Sequence, residues 1–329
     1  MQSWWMRMSA AGAELERRDV PVPEPGPGQL RVRLHAASLN RGEFIAGHGL
    51  HPAGGDWKPI GAEGAGVVDA VGAGVHALRA GDRVMGRCPG AFAEHALMEA
   101  GEAIAMPLSL TWEEGASIPL VFLVVHDMLV LQGRLKAGEW VLVNGVSSGV
   151  GVATLQLAKA LDANVIGTSG SADKLARLAA LGLDLGLHTR GPDFADAVRG
   201  ATGGRGADLV VNTVGGSVFA ENVRAMAFEA RLATVGYVDG VLHADLDLEA
   251  LHAKRLVVFG VSNKLRSKAQ RVAAMPRFVA EVMPQFAAGR IRPCIDRVYE
   301  FAQLPEAKAR MEAGEHLGKI VLRMPGGAA

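Results

Sequence analysis

Val141-Leu142-Val143-Asn144-Gly145-Val146-Ser147-Ser148-Gly149-Val150-Gly151 passes from an apolar run, through a turn of small residues, into a segment with apolar side chains at Val150, Ala153, Leu157 and Leu161. The first part reads as a strand buried on both faces and the last as a helix, because their apolar spacings follow those two periods. The turn between them suits an anion. Small residues let the backbone come close, and the first N–H groups of a helix are unsatisfied donors at the positive end of its dipole. The full glycine fingerprint is absent, since Val146 and Ser148 stand where two of its glycines would be. The fold is therefore decided by what lies on either side.

Downstream, strand-length apolar runs recur at 140–143, 165–167, 209–211, 232–235 and 256–260, with a weaker one at 183–187. Helical stretches such as 172–181 and 218–228 separate them. Alternating strands and helices with near-continuous apolar strands predict a doubly wound parallel sheet of about six strands. Upstream the pattern differs. Residues 19–40, DVPVPEPGPGQLRVRLHAASLN, start as proline-held extended chain and continue as a half-buried strand, in which Leu30, Val32 and Leu34 alternate with Arg31, Arg33 and His35. Short glycine-punctuated β segments fill 60–98 and suggest an antiparallel barrel or sandwich. Thr111 followed by Trp112, Glu113 and Glu114 reads as a helix start, and 115–131 as one buried helix. After 265 a long helical segment runs to about 288. A strand at 295–301, a helix opened by Pro305 and a strand at 319–322 then resume the β character of the first part.

A chain of 329 residues exceeds a single core, which points to two domains. Lys+Arg and Asp+Glu both number 34, so no overall basic balance supports nucleic-acid binding. No run of ~18 apolar residues suggests a membrane span, and the first residues lack a signal-peptide pattern. The two cysteines, Cys88 and Cys294, form no CxxC pair and read as reduced thiols of a cytoplasmic protein.

About 20 residues past the glycine turn, an NAD site places an acidic side chain on the ribose 2′-hydroxyl. Here Thr168 and Ser169 occupy that place and Lys174 follows one helical turn later. Hydroxyls and an ammonium suit a 2′-phosphate, so NADPH is expected over NADH. Asn212-Thr213-Val214-Gly215-Gly216 and Val235-Gly236-Tyr237 end the fourth and fifth strands, where ligands bind in such sheets.

The segment 19–40, Gly61-Ala62-Glu63-Gly64-Ala65-Gly66-Val67-Val68, Gly81-Asp82-Arg83-Val84, the turn NGVSSGVG and the tail Gly314-Glu315-His316-Leu317-Gly318-Lys319-Ile320-Val321-Leu322 together resemble the medium-chain dehydrogenase/reductase superfamily. The resemblance covers nearly the whole chain. It implies an α/β protein: a Rossmann doubly wound parallel sheet at 116–281 plus a GroES-like β-barrel domain from 1–115 and 282–329, with the active site in the cleft. Zinc-dependent members carry a Cys and a Gly-His-Glu. Here Asn40 stands in the Cys position, Ala62 replaces the His, and Leu120 falls near the third ligand. No metal is expected, because catalytic zinc wants three N, S or O ligands.

What remains resembles the zinc-free quinone oxidoreductase branch. That resemblance implies Asn40 near the nicotinamide, orienting it or the substrate. Arg41 and Tyr237 are further candidates for the pocket, and His126, on the apolar stretch 121–131, reads as a core histidine. The resemblance implies NADPH on Asn144, Ser147, Ser148, Gly149, Val150, Gly151, Thr168, Ser169, Lys174, Thr189, Asn212, Val214, Gly236, Tyr237, Gly260, Val261, Ser262 and Lys319. Ser262 and Leu265-Arg266-Ser267 match a loop of the branch. Val124 stands where many relatives have Thr, and Thr189 where some place Tyr against the adenine. The expected reaction is hydride transfer to a quinone or an α,β-unsaturated carbonyl. An enoyl reductase acting on a thioester or enal is the alternative, and a non-catalytic NADPH-binding protein a third. Loops around 44–58 and 262–275 would shape the pocket, and a homodimer would pair through the sheet edge at 255–261.

Overall fold

The computed structural model describes residues 1–9, 12–45, 55–263 and 265–325. The pocket loops expected at 44–58 and 262–275 thus fall partly, at 46–54 and 264, outside the described residues. Contacts divide the chain into two compact units, Met1–Leu120 with Arg266–Glu281 and Ile295–Ala329, and Val121–Leu265 with Val282–Cys294.

The N-terminal part of unit 1 contributes β1 (Gln2–Ser9), β2 (Gly12–Asp19), β3 (Gln29–Ser38), β4 (Lys58–Pro59), β5 (Glu63–Val71), β6 (Arg83–Arg87), β7 (His95–Glu99) and β8 (Ala103–Ala105), followed by helix α1 (Trp112–Ala116). Helix α2 (Pro119–His126) starts at the end of this unit's first segment. Unit 2 holds β9 (Trp140–Asn144), α3 (Gly149–Ala160), β10 (Asn164–Ser169), α4 (Ala172–Ala179), β11 (Leu185–His188), β12 (Ala207–Asn212), β13 (Met226–Thr234) and β14 (Val257–Gly260). Unit 1 resumes with β15 (Ile295–Glu300) and β16 (Lys319–Arg323).

In unit 1, β2-β1-β4 form a small antiparallel sheet, and β15-β16-β3-β5-β6-β8 a larger one, with β7 also on β3. The alternation read at Leu30, Val32 and Leu34 turns these three into a core shared with Val68, Val84, Ile320 and Leu322. The strands 295–300 and 319–323 do complete this sheet: Val321 pairs with Ser38 across the β16–β3 ladder. The hairpin β1–β2 was not read from sequence, because Gly12–Asp19 is largely charged and only half-buried.

In unit 2 the strand order is β11-β10-β9-β12-β13-β14, every pairing parallel. The order reverses between β9 and β12, which is where the doubly wound architecture opens its ligand crevice. Three local readings need correction. The expected single helix at 115–131 breaks into α1, α2 and a π-helical stretch Asp127–Gln132, because Pro119 cannot continue a helix from the residues before it. The helix expected at 218–228 ends at Ala225, and β13 begins at Met226 with paired backbone. The segment Arg266–Glu281 packs with unit 1, whereas Val282–Cys294 packs with unit 2; the sequence boundary at 281/282 had assigned them the other way. Arg271 decides this locally. It reaches the buried carboxylate of Glu102 through 3.0 Å contacts to both oxygens, an ion pair that apolar periodicity does not reveal. Among the described residues no helix is long and apolar enough to cross a membrane.

Candidate functional site

The parallel register of unit 2 lines up most of the residues picked from sequence. Asn144 at the end of β9 pairs with Thr168 on β10 and with Asn212 on β12, Asn212 pairs with Thr234, and Thr234 with Gly260. Ser169 pairs with His188, one residue before Thr189. Gly236 and Tyr237 follow β13, and Val261 and Ser262 follow β14, so all lie at the same carboxyl edge.

The turn after β9 is built to a narrow tolerance. Gly145 has φ +72°, in the left-handed region that favours glycine. A Cβ on Gly151 would lie 2.5 Å from the carbonyl oxygen of Gly145 and 2.6 Å from the Val146 backbone. Gly151 is thus the glycine that lets the helix start close to the strand end, while Val146 fills the space below it fully buried. Ser148 caps α3: its Oγ accepts from the Gly151 N–H at 3.0 Å. The first-turn N–H groups of Gly149 and Val150 are then the backbone donors at the mouth of the turn. Thr168 Oγ1 accepts from the Gly145 N–H at 3.2 Å, and the Val146 N–H bonds the Thr168 carbonyl at 3.0 Å. Thr168 therefore braces the turn rather than facing a ribose. Ser147 and Ser169 hydroxyls meet at 3.2 Å.

The two asparagines at the switch point are used differently. Asn212 saturates its own turn. Its Oδ1 accepts from the Val214 and Gly215 N–H groups, and its Nδ2 donates to the Gly215 carbonyl. Asn144 is fully buried, yet neither its Oδ1 nor its Nδ2 has a partner among the described residues. A buried amide without partners costs free energy on the order of 1–3 kcal/mol, so the end of β9 carries hydrogen-bonding capacity that the described residues leave unmet.

Arg190 was not read from sequence. A Cβ on Gly170 would collide with the Arg190 Nε and Cζ, so the guanidinium lies on the chain just past Ser169. Its place two residues beyond β11 is the signal that a search confined to the second strand overlooks. Arg190 brings a guanidinium beside the Ser169 end of β10.

In unit 1 the expected substrate residues Asn40 and Arg41 sit in a buried polar network. Lys319 is 6% exposed, and its Nζ donates to the Leu39 carbonyl at 3.0 Å, to Asn40 Oδ1 at 2.8 Å and to Glu63 Oε1 at 2.9 Å. An ammonium has three hydrogens and all three are engaged, so the cofactor role expected for Lys319 is not supported. Asn40 Nδ2 donates to Glu43 Oε1 at 2.9 Å and Glu63 Oε1 at 3.0 Å, which spends both of its donors. Arg41 bonds the Met311 carbonyl. Glu63, fully buried, also accepts from Ser38 Oγ at 2.5 Å and from the Leu120 N–H at 2.7 Å in the first turn of α2. Burial pushes the Glu43 carboxyl up to about 7, opposed by its bonds from Asn40, raised further by Glu63 and lowered by Lys319. His126 is buried, as a core histidine. Among the described residues no three His, Cys, Asp or Glu side chains converge as a metal would require.

Residues 26–108 match the alcohol dehydrogenase GroES-like domain family and residues 149–279 the zinc-binding dehydrogenase family. Over 303 residues, 91% of the chain, it is 35% identical to the pikromycin polyketide synthase component PikAII of Streptomyces venezuelae. It spans 8% of that synthase's length, and 5–14% of other polyketide synthases it resembles. Among solved structures it is 32% identical to an NAD-dependent alcohol dehydrogenase, with a TM-score of 0.83 over 98% of this chain and 99% of the other. It is 28% identical to mycobacterial Rv1454c complexed with NADPH, with a TM-score of 0.87 over 98% and 99%. A quinone oxidoreductase of Pseudomonas syringae is also 28% identical, with a TM-score of 0.85 over 98% and 100%.

Proposed function

The chain belongs to the medium-chain dehydrogenase/reductase superfamily, and we propose that within it the protein is a zinc-independent NADPH-dependent reductase, transferring hydride to a quinone or another α,β-unsaturated carbonyl compound. The observation that carries this reading is the Lys319 ammonium. It is held by Glu63, Asn40 and the Leu39 carbonyl, in the neighbourhood where relatives gather a catalytic metal. With Asn40 and Ala62 in two ligand places and Glu63 neutralised by a lysine, the donor set fits an internal cation better than zinc. Electron-poor acceptors need no Lewis acid to take a hydride, so such a site favours them over alcohols.

The residues fit the cofactor. Asn144 offers a partnerless buried amide, Gly149 and Val150 offer backbone N–H groups to a pyrophosphate, and Ser169, Lys174 and Arg190 suit a 2′-phosphate. When bound, the reduced nicotinamide supplies the hydride. The chain's part is to align it and to supply a dry pocket. Asn40 has both amide donors spent on Glu43 and Glu63 within unit 1, so it holds its own turn rather than donating to substrate. Tyr237, 43% exposed at the carboxyl edge of unit 2, is the better side chain to hold or deliver a proton at the acceptor oxygen. The likeness to Rv1454c complexed with NADPH supports the cofactor and the likeness to the Pseudomonas quinone oxidoreductase supports the acceptor class. The likeness to PikAII supports a second reading, an enoyl reductase acting on a thioester. A homodimer through β14 fits its edge position, where Val257 is 51% exposed and Val258 39%.

The test follows NADPH oxidation, with NADH alongside, in the presence of a chelator, against a para-quinone, an ortho-quinone, an enal and an enoyl thioester. Chelator-resistant turnover with NADPH is expected, and the best acceptor chooses between the two readings. Activity lost to chelation and restored by zinc would overturn the metal-free reading. Tight NADPH binding without turnover on any acceptor would favour a binding protein.

A further inference from the structure

The Asn40 turn encloses an imbalance of charge that the reductase reading does not use. Glu43 and Glu63 are 6% and 0% exposed, and Lys319, at 6%, is the ammonium between them. Both carboxyl groups accept from the same Asn40 Nδ2. Two buried carboxylates beside one ammonium leave an uncompensated negative charge, which a protein interior resolves by keeping a proton. We propose that Glu43 is a buried carboxylic acid that holds its proton on Oε2 through the acidic range and gives it up only around neutral pH, and that this neutral acid is the positioning residue which keeps the Asn40 turn in its hydrogen-bonded form.

The division of donors says which carboxyl carries the proton. Glu63 receives four: Ser38 Oγ, Asn40 Nδ2 and Lys319 Nζ on Oε1, and the Leu120 N–H on Oε2. That is the surrounding of an ionised carboxylate. Glu43 receives two, the Asn40 N–H at 3.1 Å and Nδ2 at 2.9 Å, both on Oε1. Its Oε2 is buried with no partner among the described residues. A bare carboxylate oxygen there would be an unpaired charge, whereas a protonated one is only a hydroxyl short of an acceptor.

Among the described residues the surroundings add no second cation in contact. Glu63 faces Glu43 from β5 and Lys319 from β16. Cys88, after β6, has its thiol pushed up by burial and by Glu63, so it stays neutral. Arg41 is turned to the Met311 carbonyl, and Lys308 lies over the neighbouring Phe44 ring at 6.0 Å and pairs with Glu312. Losing the proton would add a second buried negative charge beside Glu63 and repel it through the shared amide. The turn that carries Asn40 and Arg41 would loosen.

The positioning role rests on the reductase reading, but the protonation state does not, and the experiment separates them. Infrared difference spectra of the full-length protein are titrated from pH 5 to 9, for wild type and Glu43→Gln. A carboxylic-acid C=O band that bleaches around neutral pH and is missing from Glu43→Gln is expected. In parallel, kcat/KM for NADPH-driven reduction should fall in wild type by roughly tenfold per pH unit above that transition, the slope of one ionisation. Glu43→Gln, which mimics the neutral acid, should rescue the alkaline limb, while Glu43→Ala should not. No band assignable to Glu43, or an alkaline limb unchanged in Glu43→Gln, would overturn the inference. A band present without turnover on any acceptor would leave the buried acid standing and defeat the reductase reading.

Discussion

At the carboxyl edge of unit 2, Asn144 keeps two buried polar atoms with no partner among the described residues, whereas in unit 1 the Lys319 ammonium has all three hydrogens engaged and Asn40 has spent both donors. Both regions bury polar groups at a cost of several kcal/mol each when unpaired. The first leaves part of that cost open, as a receptor for a ligand does. The second closes it internally at Lys319 and Asn40 and leaves one carboxyl oxygen, Glu43 Oε2, without a partner among the described residues. The difference teaches that residues in matching family positions need not play the same part. Asn144 and Asn40 both come from the sequence as site residues, and of the two only Asn144 has an amide without partners among the described residues.

The comparison breaks most visibly at Lys319. Lys319→Met should leave Glu63 buried without its cation, and breaking a buried pair by removing one partner costs about 3–5 kcal/mol. Urea unfolding should show that loss, with Lys319→Arg much milder. A loss below about 1 kcal/mol would mean the network is not closed as described, since that is what an exposed pair is worth. Gly151→Val comes next. With 2.5 Å between its Cβ and the Gly145 oxygen, the turn must shift by more than side-chain rotation allows. Overpacking costs about 1–3 kcal/mol, and NADPH affinity measured by fluorescence should drop at least as far as stability does. If stability falls while affinity holds, the turn is not the pyrophosphate site.

Arg190→Ala sharpens the same edge. A charge-assisted bond to a phosphate is worth about 1.5–3 kcal/mol, reduced here because the side chain is exposed. NADPH should bind about tenfold more weakly, equivalent to about 1.4 kcal/mol, and NADH should be unaffected. Equal loss for both cofactors would remove Arg190 from the 2′-phosphate.

How far the sequence alone reached follows the same division. The parallel strands of unit 2 were legible because their apolar runs are continuous and bounded, and the carboxyl-edge residues follow once those strands are aligned. The turn was legible despite Val146 and Ser148, since the close contact that matters falls at Gly151, which the chain retains. Thr168 and Asn212 were placed correctly, but given roles that the backbone had already claimed. Arg190 was illegible because its relevance depends on the parallel pairing of β11 with β10, a tertiary fact. The Lys319 network was illegible for the same reason: Lys319 lies 279 residues from Asn40 and 256 from Glu63 along the chain, and the β16–β3–β5 pairings bring them together. The placement of Arg266–Glu281 rests on Arg271 finding Glu102 across 169 residues. Periodicity speaks to local structure and is silent on which long-range ion pairs form.

A smaller effect tests whether unit 1 closes all its polar groups as Lys319 does. His35 on β3 is buried, stacked on Trp112 at 4.4 Å between ring centres and 17° between planes, with the Arg83 guanidinium 4.1 Å from the Trp112 ring. Neither ring nitrogen of His35 has a partner among the described residues. Burial holds this imidazole below the usual histidine range, and Arg33 and Arg83 push it the same way against Glu113. A base whose folded value is lowered stays neutral in the fold while the unfolded chain takes up a proton. Its contribution to stability is therefore complete above the ordinary value of 6.5 and is lost as pH falls below it. The sign is opposite to that of Glu43, whose raised value means that stability is lost as pH rises from its ordinary 4.5 towards about 7. His35→Phe keeps an aromatic ring against Trp112 and removes the proton, so its Tm should fall less than that of wild type between pH 7 and 5. Glu43→Gln should instead flatten the curve between pH 5 and 7 from the other direction. Parallel curves for His35→Phe and wild type would mean that the imidazole finds a proton acceptor in solution, and that unit 1 is as open at His35 as unit 2 is at Asn144.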